Sequence, residues 1–498
     1  MDQFNVAVVG SGIGGLVSAA FLAKSGKKVV VYEKHFRAGG CAQSFLRKGM
    51  EFDSCVHFVG GCGNGESNRV AYLHKILTHL GIDTEKLFVK INPVLKITTP
   101  SIQIALPSGL EELFDTLKKE YPSEEASLEK LYKLMIQINA SIRKMPIVPK
   151  LTDILKMIFT DRDLIKNRNM TTKQVLDKLL ANENLKTVLG AHCFYLGSSP
   201  ESTSFLFWIS LMMNYYDEGT YYCIGTYQKL ANILVDTIKK FGGEIKLSTE
   251  VTSINLLNEK VSSVTLKNGE TIKVDQVISN TTLDATFSKL IQGSKKSLKM
   301  ASKVSKWKPT LSAYALYIKA KDPSVPFTDT NQSFWFSDST MEECFSKVDK
   351  NDFSAYYLSL PPQQDGSMVG HGTLLTLCKY NSKEFWKREK ESFGKLLFDK
   401  AAKVIPGFGN AFEIVDSATP VTFERYTGNQ DGAMLGWELN PNQMGMKRFG
   451  PHTPIDGLFI AGQWARPAGG VYCVALSGAY AALSALGLKD LKGLLEKV

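Results

Sequence analysis

A run of glycines set between two short apolar strands constrains this 498-residue chain more than any other feature. The strand Val6-Ala7-Val8-Val9 enters the turn Gly10-Ser11-Gly12-Ile13-Gly14-Gly15, and a small-faced helix follows through Leu16, Ala19, Ala20 and Leu22. A second strand, Lys28-Val29-Val30-Val31-Tyr32, ends at Glu33, 23 positions after Gly10. Strand, glycine turn, helix, strand and acid together make a dinucleotide-binding βαβ fingerprint. Gly10 permits the sharp exit from the strand, Gly12 lets backbone approach a pyrophosphate, and Gly15 lets the helix pack closely on the sheet. Gly14 lies in the first helical turn, whose free N–H groups and partial positive charge face phosphates. Glu33, with Lys34 beside it, ends the unit; its carboxylate accepts from ribose hydroxyls and disfavours a 2′-phosphate.

The chain is too long for one small core, so two or three subdomains are expected. Its net charge of +10 comes from dispersed lysines. Such a surface suits solvation or attraction to anionic lipid. No nucleic-acid motif accompanies the charge, so nucleic acid is not an expected partner. The eight cysteines form no Cys-x-x-Cys pair, and no metal-ligand spacing is present. Scattered thiols point to a cytoplasmic, reducing location. The apolar N-terminus lacks a basic leader and does not read as a signal peptide. No apolar run reaches the roughly 18 residues that span a bilayer.

Residues from about 70 to 220 read mostly as helices. Leu73, Ile76, Leu77 and Leu80 share one helical face, and Ser199-Pro200-Glu201 predicts a helix start. Strands return at Glu244-Ile245-Lys246, and Asn268-Gly269 predicts a hairpin between Val261–Leu266 and Thr271–Val274. Alternating stretches at 311–318 and 372–377 predict further strands. Near the end, Leu458-Phe459-Ile460-Ala461 stops at Gly462, and Gly469-Gly470-Val471 opens a helix through Ala475, Ser477-Gly478-Ala479 and Ala482. A strand, a glycine turn and a small-faced helix thus recur 450 residues after the first such unit. The two ends are expected to join in one nucleotide domain, with the middle inserted.

On these residues the chain resembles the FAD-dependent carotenoid and retinoid oxidoreductases: phytoene desaturases, carotenoid isomerases and retinol saturases. The likeness is dense in four blocks. They are Gly10 to Glu33 with Gly39-Gly40, Ser44, Glu51-Phe52-Asp53 and His57; Gly242-Gly243 to Val251; Asp275 to Asn280; and Gly462 to Gly478. The resemblance implies an α/β fold: a Rossmann-type FAD-binding domain of the two-dinucleotide-binding-domain flavoprotein kind, similar to amine oxidases and phytoene desaturases, with an inserted α+β substrate domain. The FAD domain is expected over 1–75, 225–290 and 452–498, and the substrate domain over 76–224 and 291–451. FAD contacts are expected from Gly10, Gly12, Gly14, Gly15, Glu33, Lys34, Gly39, Gly40, Ser44, Val251, Asn280, Gly462, Gln463, Gly470 and Val471. Two departures stand out. Gly462-Gln463 replaces the usual Gly-Asp, and Ile224-Gly225 replaces a glycine pair after the helical region.

The implied chemistry is hydride exchange between flavin N5 and carbon–carbon bonds of a lipophilic polyene, as desaturation, saturation or cis–trans isomerisation. It needs a long, apolar, water-poor site. Phe207, Trp208 and Tyr222 belong to an aromatic and methionine-rich stripe that suits either such a site or a plain core. His57, Glu424, Arg425 and Arg466 are the polar candidates for catalysis, each equally consistent with a structural role. No second fingerprint serves NAD(P), so a diffusible electron acceptor or donor is expected. Leu151, Ile154, Leu155, Ile158 and Phe159, flanked by Lys150, Lys156 and Arg162, have the spacing of an interfacial helix. This predicts peripheral membrane contact; a helix packed on its own domain has the same pattern. Two alternatives remain: an enzyme of this fold acting on an amine, a porphyrinogen or an acyl chain, and a non-enzymatic chaperone of prenylated proteins of the GDP-dissociation-inhibitor type.

Overall fold

The computed structural model describes residues 4–55, 57–63, 71–146, 151–324, 327, 330–348, 350 and 352–497. Its first sheet holds the fingerprint. Glu244–Lys246, Val29–Tyr32, Phe4–Val9, Thr271–Ser279 and Leu458–Ile460 run parallel in that order. Val6 pairs with Val29 on one side and Gln276 on the other, and Ser279 pairs with Ile460. Val6 to Val9 are all buried, as a parallel strand covered on both faces must be. The N-terminal part of Thr271–Ser279 also pairs antiparallel with Lys260–Leu266, which pairs in turn with Val251–Leu257. The Asn268-Gly269 turn closes that hairpin, with Gly269 at φ +88°.

The helices Ile13–Lys24 and Val471–Ala485 lie side by side on this sheet. Their crossing point is glycine against glycine. A Cβ at Gly478 would stand 2.2 Å from the Gly14 carbonyl oxygen, and one at Gly14 would stand 3.0 Å from the Val474 oxygen. Only backbone-to-backbone approach fits there. Both helices are buried on nearly every side, which suits their alanine and leucine content.

A second sheet orders Phe412–Ala418, Ser312–Ala320, His371–Cys378, Ala355–Ser359, Gln332–Phe336, Leu95–Thr98 and Gln103–Leu106. Its alternation decides its faces. Tyr314, Leu316 and Ile318 meet Trp386, Phe393 and Leu397 of the helix Lys383–Val404. Ala315 and Tyr317 turn the other way, into the core shared with the helical layer and the first sheet. A small sheet, Val59–Gly60, Thr220–Cys223 and Phe88–Lys90, ties the fingerprint side to the helices.

One local expectation shifts. Ser199-Pro200-Glu201 forms a turn, closed by Ser202 N–H donating to the Ser199 oxygen at 3.1 Å, and the helix begins later, at Phe205–Met212. After the helical region the backbone is left-handed at Gly225 and Thr226, at φ +81° and +67°, so Gly225 of the Ile224-Gly225 pair takes the conformation that glycine favours. Pro149 and Lys150 lie outside the described residues.

Gly478→Val is expected to destabilise the protein by about 3 kcal/mol, because the added atoms meet rigid backbone. The variant should also purify without its nucleotide. Chemical denaturation and the visible absorbance of the purified protein check both outcomes.

Candidate functional site

The cradle is built where the two chain ends meet. Asn280 lies at its centre. A Cβ at Gly12 would stand 2.8 Å from the Asn280 Nδ2, one at Gly14 2.8 Å from its Oδ1, and one at Gly462 2.6 Å from the same oxygen. The Oδ1 is buried with no hydrogen-bond partner, and Nδ2 reaches only the Gly10 oxygen, at 3.5 Å. Gly40 folds over the turn, so that its Cβ would stand 3.0 Å from the Gly12 Cα, and Gly39 N–H donates to the Ser11 oxygen at 2.9 Å. The helix from Ile13 has no side-chain cap, which leaves its first-turn N–H groups free for a phosphate.

Glu33 is buried at the strand end and accepts from Ser11 N–H and Ser11 Oγ–H, both at 2.8 Å, and from His35 N–H at 2.9 Å. Thr249 N–H donates to the Glu33 oxygen at 2.8 Å and Ser248 N–H to the His35 oxygen at 2.9 Å, which brings Val251 beside the ribose end. At the other end Gly470 has φ +90° and open space where a Cβ would be, and Val471 starts an uncapped helix. An orphaned buried amide, glycines packed on it too closely for any Cβ and two uncapped helix starts fit a dinucleotide flavin. Gly10, Gly12, Gly14, Gly15, Glu33, Gly39, Gly40, Val251, Asn280, Gly462, Gly470 and Val471 are the residues that could hold it. Lys34 is exposed, and Ser44 Oγ is engaged by Glu51. The Gln463 backbone oxygen accepts from Arg448 Nη2 at 2.7 Å.

Arg448 and Ser477 were not legible as site residues. Ser477 Oγ accepts the Gly462 N–H at 3.1 Å and so sets the turn. Arg448 is fully buried and also donates to the Ala465 oxygen at 3.2 Å. Burial pulls its guanidinium down to about 9.

Beside the cradle, Asp53 is buried at the end of the strand Met50–Asp53. It accepts from Tyr222 O–H at 2.6 Å and Tyr227 N–H at 2.9 Å. Burial pushes its carboxyl up to about 7 against these two bonds. Burial holds the His57 imidazole down to about 4, so it is neutral at physiological pH. The His57 ring meets Tyr357 edge-on at 5.5 Å, within an aromatic wall of Tyr195, Tyr215, Phe334 and Tyr357. Tyr195 and Tyr357 both give their hydroxyls to Gln332 Oε1, at 2.6 and 2.9 Å, and their rings pack edge and face against one another and Phe334.

The other sequence candidates separate. Trp208 is core: its indole N–H donates to the Leu189 oxygen at 3.1 Å and its ring stacks on Phe205. Phe207 packs with Leu196, Leu439 and Ala468. Glu424 accepts from Tyr380 O–H at 2.8 Å, and Arg425 is exposed on the same helix, Pro420–Thr427. Neither lies in the wall around His57. Arg466 is half-buried, its Nε has no partner, and it presses on Gly450.

The fold and cradle define an FAD-dependent oxidoreductase. The model of the family described as "Flavin containing amine oxidoreductase" matches residues 13–348, and the chain belongs to that family. Its cofactor is FAD. Among curated relatives it is similar to the human all-trans-retinol 13,14-reductase, 26% identical over 93% of this chain and 82% of that protein. It is also similar to the carrot chloroplastic prolycopene isomerase, 25% identical over 99% of this chain and 82% of that protein. A solved oxidoreductase from Methanosarcina mazei shares the fold, with a TM-score of 0.66 at 18% identity, covering 97% of this chain and 100% of that one.

The Asp53 carboxyl carries a signed pH dependence. Its folded value, about 7, lies above the ordinary unfolded value, so the native state binds the extra proton between roughly pH 4 and pH 7. Stability therefore falls as pH rises through that window and stays lower above it. Asp53→Asn lacks this slope. Its stability relative to the parent should rise by roughly 4 kcal/mol from pH 4 to pH 8. Urea titrations at four pH values measure this; a constant difference contradicts the assignment.

Proposed function

We propose that this protein exchanges hydride between FAD and carbon–carbon bonds of a lipophilic polyene, as saturation, desaturation or cis–trans isomerisation. The observation that carries the reading is the buried aromatic cluster around neutral His57, beside the cradle: an apolar, water-poor surrounding in which Tyr195 and Tyr357 give their hydroxyls to Gln332 and Tyr215 gives its own to the Phe58 oxygen. Conjugated hydrocarbon is the ligand such a surface solvates best. The retinol reductase and prolycopene isomerase relatives support the same substrate class. When bound, FAD supplies the two-electron chemistry. The chain's own residues hold it through the glycine cradle, Asn280 and Glu33, and exclude water with the tyrosine wall. In this reading 1–75, 225–290 and 452–498 hold the flavin, 76–224 and 291–451 hold the substrate, and a diffusible partner carries the electrons.

Anaerobic, photoreduced holoenzyme mixed with phytoene, poly-cis-lycopene and retinol tests the proposal. Reoxidation of the flavin, or a change in double-bond geometry, is expected with at least one of them. Failure with all three removes the polyene reading.

A polyene resides in lipid, and the exposed apolar side chains of the helix Leu151–Thr160 support contact with it. Leu155, Ile158 and Phe159 are exposed there, Phe159 at 76%. Among the described residues no helix is long and apolar enough to cross a membrane. We assign this helix to peripheral contact with an anionic bilayer. Flotation with phosphatidylserine vesicles should recover the protein in the lipid layer. Phe159→Asp combined with Leu155→Asp should cut recovery by about tenfold, as expected for losing two apolar anchors.

A further inference from the structure

The strand end Glu51–Asp53, the helix start at Thr226 and the strand His371–Cys378 line a partly open cavity of about 180 Å³. Its wall is largely apolar, with Phe52, Pro361 and Val369 among the lining side chains. Two polar groups on it have no partner of their own. The Thr226 hydroxyl is buried, with the residue 8% exposed, and makes no hydrogen bond. The His57 ring nitrogens make none among the described residues. Thr226 is also a β-branched residue held at φ +67°, a conformation that glycine adopts freely and threonine does not. Strain and an unsatisfied buried hydroxyl at one position point to a binding role, because a ligand would satisfy the second and the surrounding fold enforces the first.

The charges around the cavity select the ligand. Asp53 and Glu51 lie on one wall, and among the described residues no lysine or arginine lines it, which disfavours a carboxylate or phosphate. Both Asp53 oxygens already accept hydrogen bonds and His57 is neutral, and the exposed Glu51 carboxylate, screened by solvent and already accepting from Ser44 Oγ–H, is a weak counter-ion for an ammonium. An alcohol meets both free groups, since it donates to one and accepts from the other. The volume suits one ring-sized apolar group, as an apolar cavity of roughly 150 Å³ accommodates benzene. We propose that this cavity takes the hydroxyl-bearing end of the substrate, an uncharged alcohol on a six-membered ring or a fragment of that size, with Thr226 Oγ1 and His57 as its hydrogen-bond partners. The assignment rests on the polyene reading only for what continues beyond that end.

Ligand-observed NMR on the FAD-loaded protein tests it, with cyclohexylmethanol, methylcyclohexane, cyclohexylmethylamine and cyclohexanecarboxylate as probes. The alcohol should bind about tenfold more tightly than the hydrocarbon, and more tightly than the amine or the acid. Thr226→Val, which keeps the shape and removes the hydroxyl, should bring the alcohol and hydrocarbon to within about twofold, while Thr226→Ser keeps the preference. Should Thr226→Val fail to fold, Val369→Trp fills the cavity from another wall; it should abolish alcohol binding while the flavin absorbance persists. Equal affinities, a preference for the amine or acid, or an unchanged preference in Thr226→Val or Val369→Trp overturns the proposal. Alcohol preference with its Thr226 dependence, but no polyene turnover, would sink the polyene reading and leave this site standing. Polyene turnover without alcohol preference would do the reverse.

Discussion

The contact of Gly14 with Gly478 is the constraint on which the rest of the structure depends. Two helices from opposite ends of the chain approach until one backbone touches the other. That approach brings Gly462 and Asn280 against the first glycine turn, and it places the second uncapped helix start opposite the first. The cradle is therefore a product of tertiary packing. Neither end makes it alone, because Asn280 comes from a third segment that enters the sheet between them.

Much of this was legible in order along the chain, because the relevant signals are local. A glycine turn after a buried strand has few structural uses, and its acid partner lies within one βαβ unit. The alternation at 311–318 and 372–377 likewise fixes which side chains face which layer. Site chemistry was less legible because its partners are remote. Asp53 and Tyr222 are 169 residues apart, and nothing near either one announces the other. The Glu424-Arg425 pair shows the same remoteness of partners. Gly428 serves as the left-handed end of their helix, and Glu424 meets Tyr380, 44 residues away.

The aromatic stripe from 205 to 222 divides by geometry rather than composition. Phe205 and Trp208 stack inside the helical layer. After Met212 the helix widens into one wider turn, Met213–Asp217, which changes the direction of the side chains that follow. Tyr215 then reaches the wall around His57, and Tyr222 on the next strand reaches Asp53. Periodicity alone does not reveal such a change of pitch.

Closure through the chain ends has a consequence for biosynthesis. Ribosomes add roughly 5–20 residues per second, so the partner of the first glycine turn emerges some 20–90 s after it. Throughout that interval the fingerprint helix carries an apolar flank with no mate, and the nascent polypeptide has no complete place for its cofactor. Flavin capture therefore waits until the helix Val471–Ala485 has emerged and packed against the first.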